Sequence, residues 1–570
     1  MKKNIILLLS ILTTTERKRL LFFALLTIFL VFIESISIGL IVPIISFFVE
    51  ENNKFNSIIG NYLNLNNESN QLITILIIFF IAIYSFKTLF VIFYNWYLIR
   101  FSNFVLVRIS KELLNNYLSL TYNNFVKRNS AELLRNIMGE GSKIRNILRS
   151  VLVLFSEFFI LLGITIIILL VDFKTSLVAF LVVSISSLLY LLTFKKRVKK
   201  LGEESVDLAR VVLKSLIQKI SSYKFIHIIS KKNFFVNEFT KDLTAETQNN
   251  LKTSMLNILP RIWIESFGIV CLGIFILYLN FNNYDTGKII TSIGLLAFAS
   301  MRIFPSVSKV TMSLQSLKYV SAALEKISAD LNLNKSSQNM FKNLNIVKFE
   351  EKVLFKNIQF SFQETQTLIF DNINFSINKG ESIFIKGESG SGKSTLGNII
   401  SGLIIPTKGQ MIVDNKEYNL SEKKVRLNTG FVHQETYLLD DTIEKNIAVG
   451  EKPENINSKK LIESIEQAQL KNFVDQLSLG INTIVGEKGS KISVGQAQRI
   501  GIARTLYHNP DLIIFDEATS ALDEKNTNQI IETIKKLQTN RSIIFISHNT
   551  SYQEQFDKVF EIKNCNLIEK

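Results

Sequence analysis

The residues most able to do chemistry lie between Gly387 and Thr395, which read GESGSGKST and fit G-x-x-x-x-G-K-[ST]. Gly387, Gly392, Lys393 and Ser394 hold the fixed positions, and Ser389, Gly390, Ser391 and Thr395 complete the nucleotide-binding candidates. Glycines let backbone N–H groups curl around phosphate oxygens, and the helix that follows adds its partial positive charge. Lys393 is expected to reach the β- and γ-phosphates of ATP, and the Ser394 hydroxyl to ligate Mg²⁺. A second constellation, Leu512-Ile-Ile-Phe-Asp516-Glu517, is an apolar run ending in two carboxylates. Asp516 is expected to hold Mg²⁺, directly or through water, and Glu517 to polarise the attacking water as general base.

Such a loop works only between a strand and a helix. Ser382–Lys386 supplies a short apolar strand before it, and Leu396–Ile400 can begin a helix after it. From about residue 346 short β-runs recur: Val347–Phe349, Ile358–Phe362, Leu368–Phe370, Ile383–Ile385, Thr429–Val432, Leu512–Phe515 and Ile543–Ile546. Strands alternating with soluble helices predict an α/β domain with a largely parallel sheet over 346–570.

The first 310 residues are of another kind. The chain has 570 residues, 47% of them hydrophobic, and a formal charge of +16. Apolar stretches near 20–49, 71–98, 149–171, 175–194, 258–282 and 286–310 are each long enough to cross a bilayer, which takes about 20 residues of helix. The segment 100–149 carries nine Lys/Arg against three Asp/Glu, and 195–257 carries thirteen against six, whereas the other joins are short or nearly free of basic residues. The positive-inside rule therefore predicts a multi-pass protein with both long loops and both termini cytoplasmic. Basic residues clustered between apolar stretches point to a membrane rather than nucleic acid. Each long loop is expected to be two helices extending beyond the membrane, with short turns at Leu118–Asn129 and Ser221–Lys232. Asn4–Leu12 reads as an interfacial helix rather than a cleaved signal peptide, because Glu16-Arg-Lys-Arg19 follows with no small-residue cleavage site. Phe55, Ile58, Ile59, Tyr62 and Leu63 share one helix face, so an external amphipathic helix is expected near 52–66. The expected organisation is a six-span membrane domain over 1–324, a polar linker over 325–345 and a nucleotide-binding domain over 346–570. Two cysteines, Cys271 and Cys565, imply no disulfide framework.

Between the two phosphate-directed motifs stands Ile492-Ser-Val-Gly-Gln496. Here the chain resembles the ATP-binding cassette superfamily, whose signature reads LSGGQ, and 346–570 follows that family's order. The resemblance implies a P-loop nucleotide-binding domain in which Phe362 stacks on adenine. It makes Gln434 the Q-loop residue touching Mg²⁺, Asp523 part of the D-loop Ser520–Asp523, and His548 the switch histidine at the γ-phosphate. Val485–Gly489 resembles the loop that exporters set against their coupling helices. Ser493, Gly495 and Gln496 would serve the nucleotide of a partner subunit. Val494 stands where the family has the first glycine, a departure that weakens or slows one ATP site or signals unequal sites. Intact Glu517 and His548 argue against a dead site.

Glu34, Lys87, Arg261, Glu265 and Arg302 fall within expected spans. Charge at the bilayer centre costs about 2.5–3.5 kcal/mol or more, so such residues face a cavity or a partner. Lys87, Arg261 and Arg302 are candidates for a cationic substrate cavity; structural ion pairing is the rival reading, with Arg261 and Glu265 placed i, i+4 on one helix face. Phe32–Ser35, Thr121–Ile137, Pro260–Glu265 and Arg302–Ser306 resemble the corresponding parts of bacterial lipid-linked oligosaccharide flippases. That resemblance implies a homodimer in the bacterial inner membrane that moves a polyprenyl-pyrophosphate-linked glycan at the expense of ATP. Rival readings are an exporter of peptides, bacteriocins or another lipid, a non-transporting ATPase acting on nucleic acid or ribosomes, and an ATP-binding regulator without turnover. The apolar first 310 residues weigh against the second. No peptidase-like cysteine stretch is seen ahead of the spans, which weighs against a peptide-processing exporter.

Overall fold

The computed structural model describes residues 2–40, 69–171, 173–281, 286–332, 345–362, 367–422, 425–518, 524–538 and 541–570. The external helix expected near 52–66 and the D-loop with Asp523 lie outside the described residues. The chain forms two compact units, one of residues 1–118 and 127–334, the other of 119–126 and 335–570.

The first unit is helical. Its helices are α1 (Lys2–Ile11), α2 (Thr14–Gly39), α3 (Ser69–Leu118), α5 (Ser130–Arg135), α6 (Gly141–Val171), α7 (Phe173–Ser221), α8 (Tyr223–Ile228), α9 (Lys232–Phe281), α10 (Thr286–Tyr319) and α11 (Ser321–Asn332); α4 (Tyr122–Val126) belongs to the second unit. Helix α1 is the short segment expected ahead of the first span. A capping box of Thr13 and Glu16 then starts α2: the Thr13 N–H donates to Glu16 Oε2 at 2.9 Å and the Glu16 N–H to Thr13 Oγ1 at 3.3 Å. Arg108 Nε then donates to the same buried Glu16 at 2.6 Å, tying the start of α2 to α3.

Helices α3, α7 and α9 have 50, 49 and 50 residues. At 1.5 Å per residue each is about 75 Å long, more than twice a hydrocarbon core of about 30 Å. The long basic loops are therefore helical extensions, turned by the short α4 and α8 where turns were expected. Among the described residues three helical stretches are long and apolar enough to cross a membrane: Thr14–Ser37, Ile77–Leu118 and Ser130–Ile166. The other three expected spans coincide with parts of α7, α9 and α10, some of whose side chains lie outside the described residues. One expectation needs correction. The linker, read as starting at 325, starts inside α11, which buries Ala323, Leu324 and Ile327. Those three sit on one helix face, and the polarity of the other face hid the pattern.

The second unit carries two main sheets. Six strands run in the order β12 (Asn566–Glu569), β11 (Lys558–Lys563), β4 (Ser382–Gly387), β10 (Ser542–Ile546), β9 (Leu512–Asp516), β8 (Thr429–Val432), all parallel except β12. The central strands are buried on both faces, as their continuous apolar runs require. The second sheet is antiparallel, ordered β3 (Leu368–Asn378), β2 (Lys352–Ser361), β5 (Lys408–Val413), β6 (Lys416–Asn419), while β1 (Asn345–Val347) pairs with β7 (Val425–Leu427). The expected strand at 347–349 thus ends at Val347, and Phe349 instead enters the core beside Val353 and Phe355. Helices α12 (Lys393–Ile400), α13 (Ile443–Ile447), α14 (Ser458–Gln467), α15 (Lys471–Asp475), α16 (Val494–Tyr507) and α17 (Glu524–Gln538) complete the unit.

Candidate functional site

The register of the parallel sheet assembles the site. Ile546 of β10 pairs with Ile385 of β4 on one side and with Asp516 of β9 on the other, and Phe515 pairs with Val432 of β8. Four strands therefore end at one edge. The residues just beyond them are the Gly387 loop, Asp516–Glu517, Ser547–His548 and His433–Gln434. Ligands of open α/β sheets bind at this carboxyl edge.

The loop after β4 turns through Gly390 (φ +82°) and Gly392 (φ +97°) and delivers Lys393 as the first residue of α12. Lys393 is 5% exposed. Its ammonium donates to the carbonyls of Gly387 and Glu388, each at 2.9 Å, so it folds back over the loop. The Ser391 hydroxyl is buried with no hydrogen-bond partner among the described residues, a donor inside the loop that suits a phosphate oxygen. Ser394 Oγ donates to Asp516 Oδ1 at 3.0 Å. Two hard oxygen donors from α12 and β9 thus meet at one point, which fits Mg²⁺. Burial pushes the Asp516 carboxyl above its ordinary range; the Ser394 hydrogen bond pulls it back, the charge of Glu517 pushes it further up, and His433 and Lys393 oppose that. A cation beside it would supply what desolvation removes.

Glu517 adopts φ +50°, and its N–H donates to Ile546 O at 2.9 Å, which anchors it across the sheet edge. Its Oε1 lies 3.5 Å from His548 Nδ1. The two candidate catalytic side chains are thus adjacent. Gln434 follows β8, and its carbonyl accepts from Gln498 Nε2 of α16 at 3.2 Å. His433 packs tilted against Phe431, with ring centroids 4.3 Å apart and ring planes at 31°. Burial pushes it below its usual pKa, against the pull of Asp516. Phe362 stands 40% exposed beyond β2, edge-on to Phe360 at 5.1 Å.

Ser493 is the N-cap of α16 in a complete capping box: the Gln496 N–H donates to its hydroxyl at 3.3 Å, and the Ser493 N–H donates to Gln496 Oε1 at 2.9 Å. Ser493, Gly495, Gln496 and Arg499 line an open cavity of about 730 Å³ with residues of α14 and α15. Val494 is 57% exposed at the same helix start, so its side chain projects outward rather than packing into the fold.

In the first unit the three candidate cations part company. Lys87 Nζ and Arg302 Nε both reach Glu34 Oε1, at 3.1 and 2.5 Å, and Glu34 is 2% exposed. Arg302 Nη1 also lies 3.7 Å from Glu157 Oε2, and Lys309 Nζ is 2.6 Å from Glu157 Oε1. Helices α2, α3, α6 and α10 thus meet in a cluster of three cations and two carboxylates. Arg261 does not join it: it is exposed and pairs with Glu265 of its own helix at 2.7 Å. Each of the three candidate cations has a carboxylate partner, as the rival reading of structural ion pairing expected, and Arg261 pairs with Glu265 as their i, i+4 spacing suggested. Glu157 and Lys309 were missed, although each is a charge inside an apolar stretch and the criterion that flagged Glu34 would have found both.

Two family profiles match. "ABC transporter transmembrane region" matches residues 20–303, and "ABC transporter" matches 370–520, together about three quarters of the chain. The leukotoxin export ATP-binding protein of Aggregatibacter actinomycetemcomitans is 36% identical over 239 residues, 42% of this chain and 34% of that protein. The alpha-hemolysin translocation ATP-binding protein of Escherichia coli has the same identity and coverage. This chain therefore spans about a third of the length of the curated relatives it matches. A solved bacterial Atm1-family ABC exporter with ATP bound shares the fold, with a TM-score of 0.77 at 19% identity over 97% of this chain and 94% of that one.

Proposed function

The chain belongs to the ABC transporter family, and from that premise we propose that it is a half-size exporter, dimeric in the membrane, in which ATP hydrolysis drives transport. The observation that carries the ATPase reading is the meeting of Lys393, Ser394, Asp516, Glu517 and His548 at one sheet edge. Ser394 and Asp516, with Gln434, would hold Mg²⁺, which when bound neutralises developing phosphate charge. Lys393 exchanges its two loop carbonyls for phosphate oxygens. Glu517 takes the proton of the attacking water, with His548 beside it at the γ-phosphate. Ser493, Gly495 and Gln496 cap the partner's nucleotide, so that ATP closes two cassettes and hydrolysis reopens them.

For the substrate, the reading supported best is a lipid-linked oligosaccharide with an anionic pyrophosphate, moved from the inner to the outer leaflet of a bacterial inner membrane. Its support is the charge cluster. Three cations against two carboxylates leave one positive charge in excess in this cluster of the described residues, and arginine is the side chain suited to a phosphate. A second reading, export of a protein, is favoured by the named leukotoxin and hemolysin relatives. Purified protein in liposomes separates them. ATP-dependent translocation of a polyprenyl-pyrophosphate glycan is expected, and its absence alongside ATP-dependent protein export would favour the second reading. Arg302→Ala, and to a lesser degree Lys87→Ala, should lower translocation while basal hydrolysis persists, with partial rescue by Arg302→Lys. Wild-type flipping by the Lys87→Ala/Arg302→Ala double variant would reduce the cluster to structural ion pairs.

A further inference from the structure

The chain passes between its two units at three points: after Leu118, after Val126 and after Asn334. A residue of α11 stands close in sequence to the last of these and is bonded to residues flanking the other two. Asp330 is 6% exposed, in the last turn of α11. Its Oδ2 accepts from the Tyr117 hydroxyl at 2.6 Å, and Tyr117 lies just before the first crossing. Its Oδ1 accepts from Arg128 Nη1 at 3.2 Å, and Arg128 lies just after the second. The Arg128 guanidinium also sits over the Tyr117 ring, 5.7 Å from its centroid.

The surroundings hold the carboxylate in place. Fully buried Asn136 donates through Nδ2 to Asp330 Oδ2 at 2.9 Å and to the Tyr117 oxygen at 3.1 Å. Asn116 Nδ2 donates to the carbonyls of Asp330 and Leu331, each at 3.3 Å, which satisfies orphan acceptors at the end of α11. Asn136 opens a π-helical turn, Asn136–Glu140, between α5 and α6, the kind of local irregularity that gathers at functional sites. A surface ion pair would hold little, but this carboxylate is buried and has three donors from three different segments.

We propose that Asp330 is a positioning residue for coupling: it clamps the three chain crossings into one body, so that motion of the cassette reaches the bundle through all three together. The proposal rests on the ATP-driven transport reading above. It makes Asp330 dispensable for nucleotide chemistry, because Gly387–Ser394, Asp516 and Glu517 lie in the other unit. Releasing the carboxylate frees Tyr117 and Arg128 to move separately. Hydrolysis then continues without moving the bundle.

The test uses the full-length protein in nanodiscs, with a spin label at exposed Met138 reporting between subunits by pulsed distance measurement. Wild type should show a shift in label distance on ATP–vanadate trapping. Asp330→Ala should keep trapping and hydrolysis near wild type and lose the distance shift, a drop in response per ATP of about tenfold or more, within the usual span of coupling free energies. Tyr117→Phe and Arg128→Gln remove one arm each and should give intermediate losses. Combined with Asp330→Ala neither should add anything, since the clamp is already open. A wild-type distance shift in Asp330→Ala, or additive losses in the double variants, overturns the proposal. If Asp330→Ala fails to fold, the two single-arm variants decide: hydrolysis and distance response falling in parallel mark a merely structural role and overturn it. Wild-type protein without ATP hydrolysis would instead defeat the transport reading on which the proposal stands.

Discussion

Gly392→Ala should cripple nucleotide binding, and the structure says by how much more than its neighbour Gly390→Ala. Both glycines have positive φ, +97° and +82°, so an alanine at either pays about 1–2 kcal/mol of backbone strain. The spaces differ. A Cβ at Gly390 meets nothing among the described residues within 4 Å, whereas at Gly392 it would come 2.8 Å from Ile369 Cγ2 and 2.9 Å from Phe370 Cζ. Phe370 is fully buried in the core between the two sheets and cannot swing away. Overpacking of that kind costs about 1–3 kcal/mol, which brings Gly392→Ala to about 2–5 kcal/mol in total. Because binding requires this loop shape, ATP affinity should fall roughly five- to thirtyfold for Gly390→Ala and about thirtyfold or far more for Gly392→Ala. Titration of full-length protein with a fluorescent ATP analogue measures both, with thermal melting as a check on folding. Equal losses in the two variants, or wild-type affinity in Gly392→Ala, would refute the steric argument.

Asp516→Asn should abolish Mg²⁺-dependent hydrolysis yet raise the melting temperature at neutral pH. A carboxyl whose folded pKa lies above its unfolded one opposes folding wherever it must ionise in place; that penalty disappears as pH falls through the folded value, so the variant's advantage should shrink in acid. A melting curve that is no higher at neutral pH contradicts the burial argument. Glu517→Gln should bind ATP and lose turnover, because the base goes and the shape stays; purified variant hydrolysing at the wild-type rate removes Glu517 from its role. Ser493→Ala should lose hydrolysis and about 1 kcal/mol of helix capping together. Val494→Gly should leave hydrolysis unchanged or raise it, and a dead Val494→Gly protein would mean the valine is required.

How far this was legible depends on whether a residue's partners are near in sequence or set by fixed chemistry. The loop Gly387–Ser394 and the pair Asp516–Glu517 could be read because phosphate and Mg²⁺ demand those types at those spacings, and the β-runs before them carry a clear apolar signal. The meeting of Ser394 with Asp516, 122 residues apart, was implied only by the roles assigned to them. The antiparallel sheet was half missed: β5 and β6 are short, polar on one side and separated by Asp414–Asn415, both in left-handed conformation. Glu34, Lys87 and Arg302 were picked out as charges in apolar stretches, but which would pair could not be read across 268 residues. Asp330 was lost inside a presumed linker, because a helix with one polar face has the composition of a linker.

The sharing of Glu34 by two later residues has a consequence for the order in which the chain is made. Glu34 on α2 is made before both cations that meet it, Lys87 and Arg302. Lys87 arrives with α3. Glu157 then enters on α6 with Arg302 and Lys309 still to come, and both of those ride on α10. Each unpaired charge left in hydrocarbon costs about 2.5–3.5 kcal/mol. Glu34 is thus matched once α3 is made, whereas Glu157 waits for α10, so a chain cut short before Arg302 would leave that one carboxylate of the cluster unmatched, as a mark of unfinished assembly.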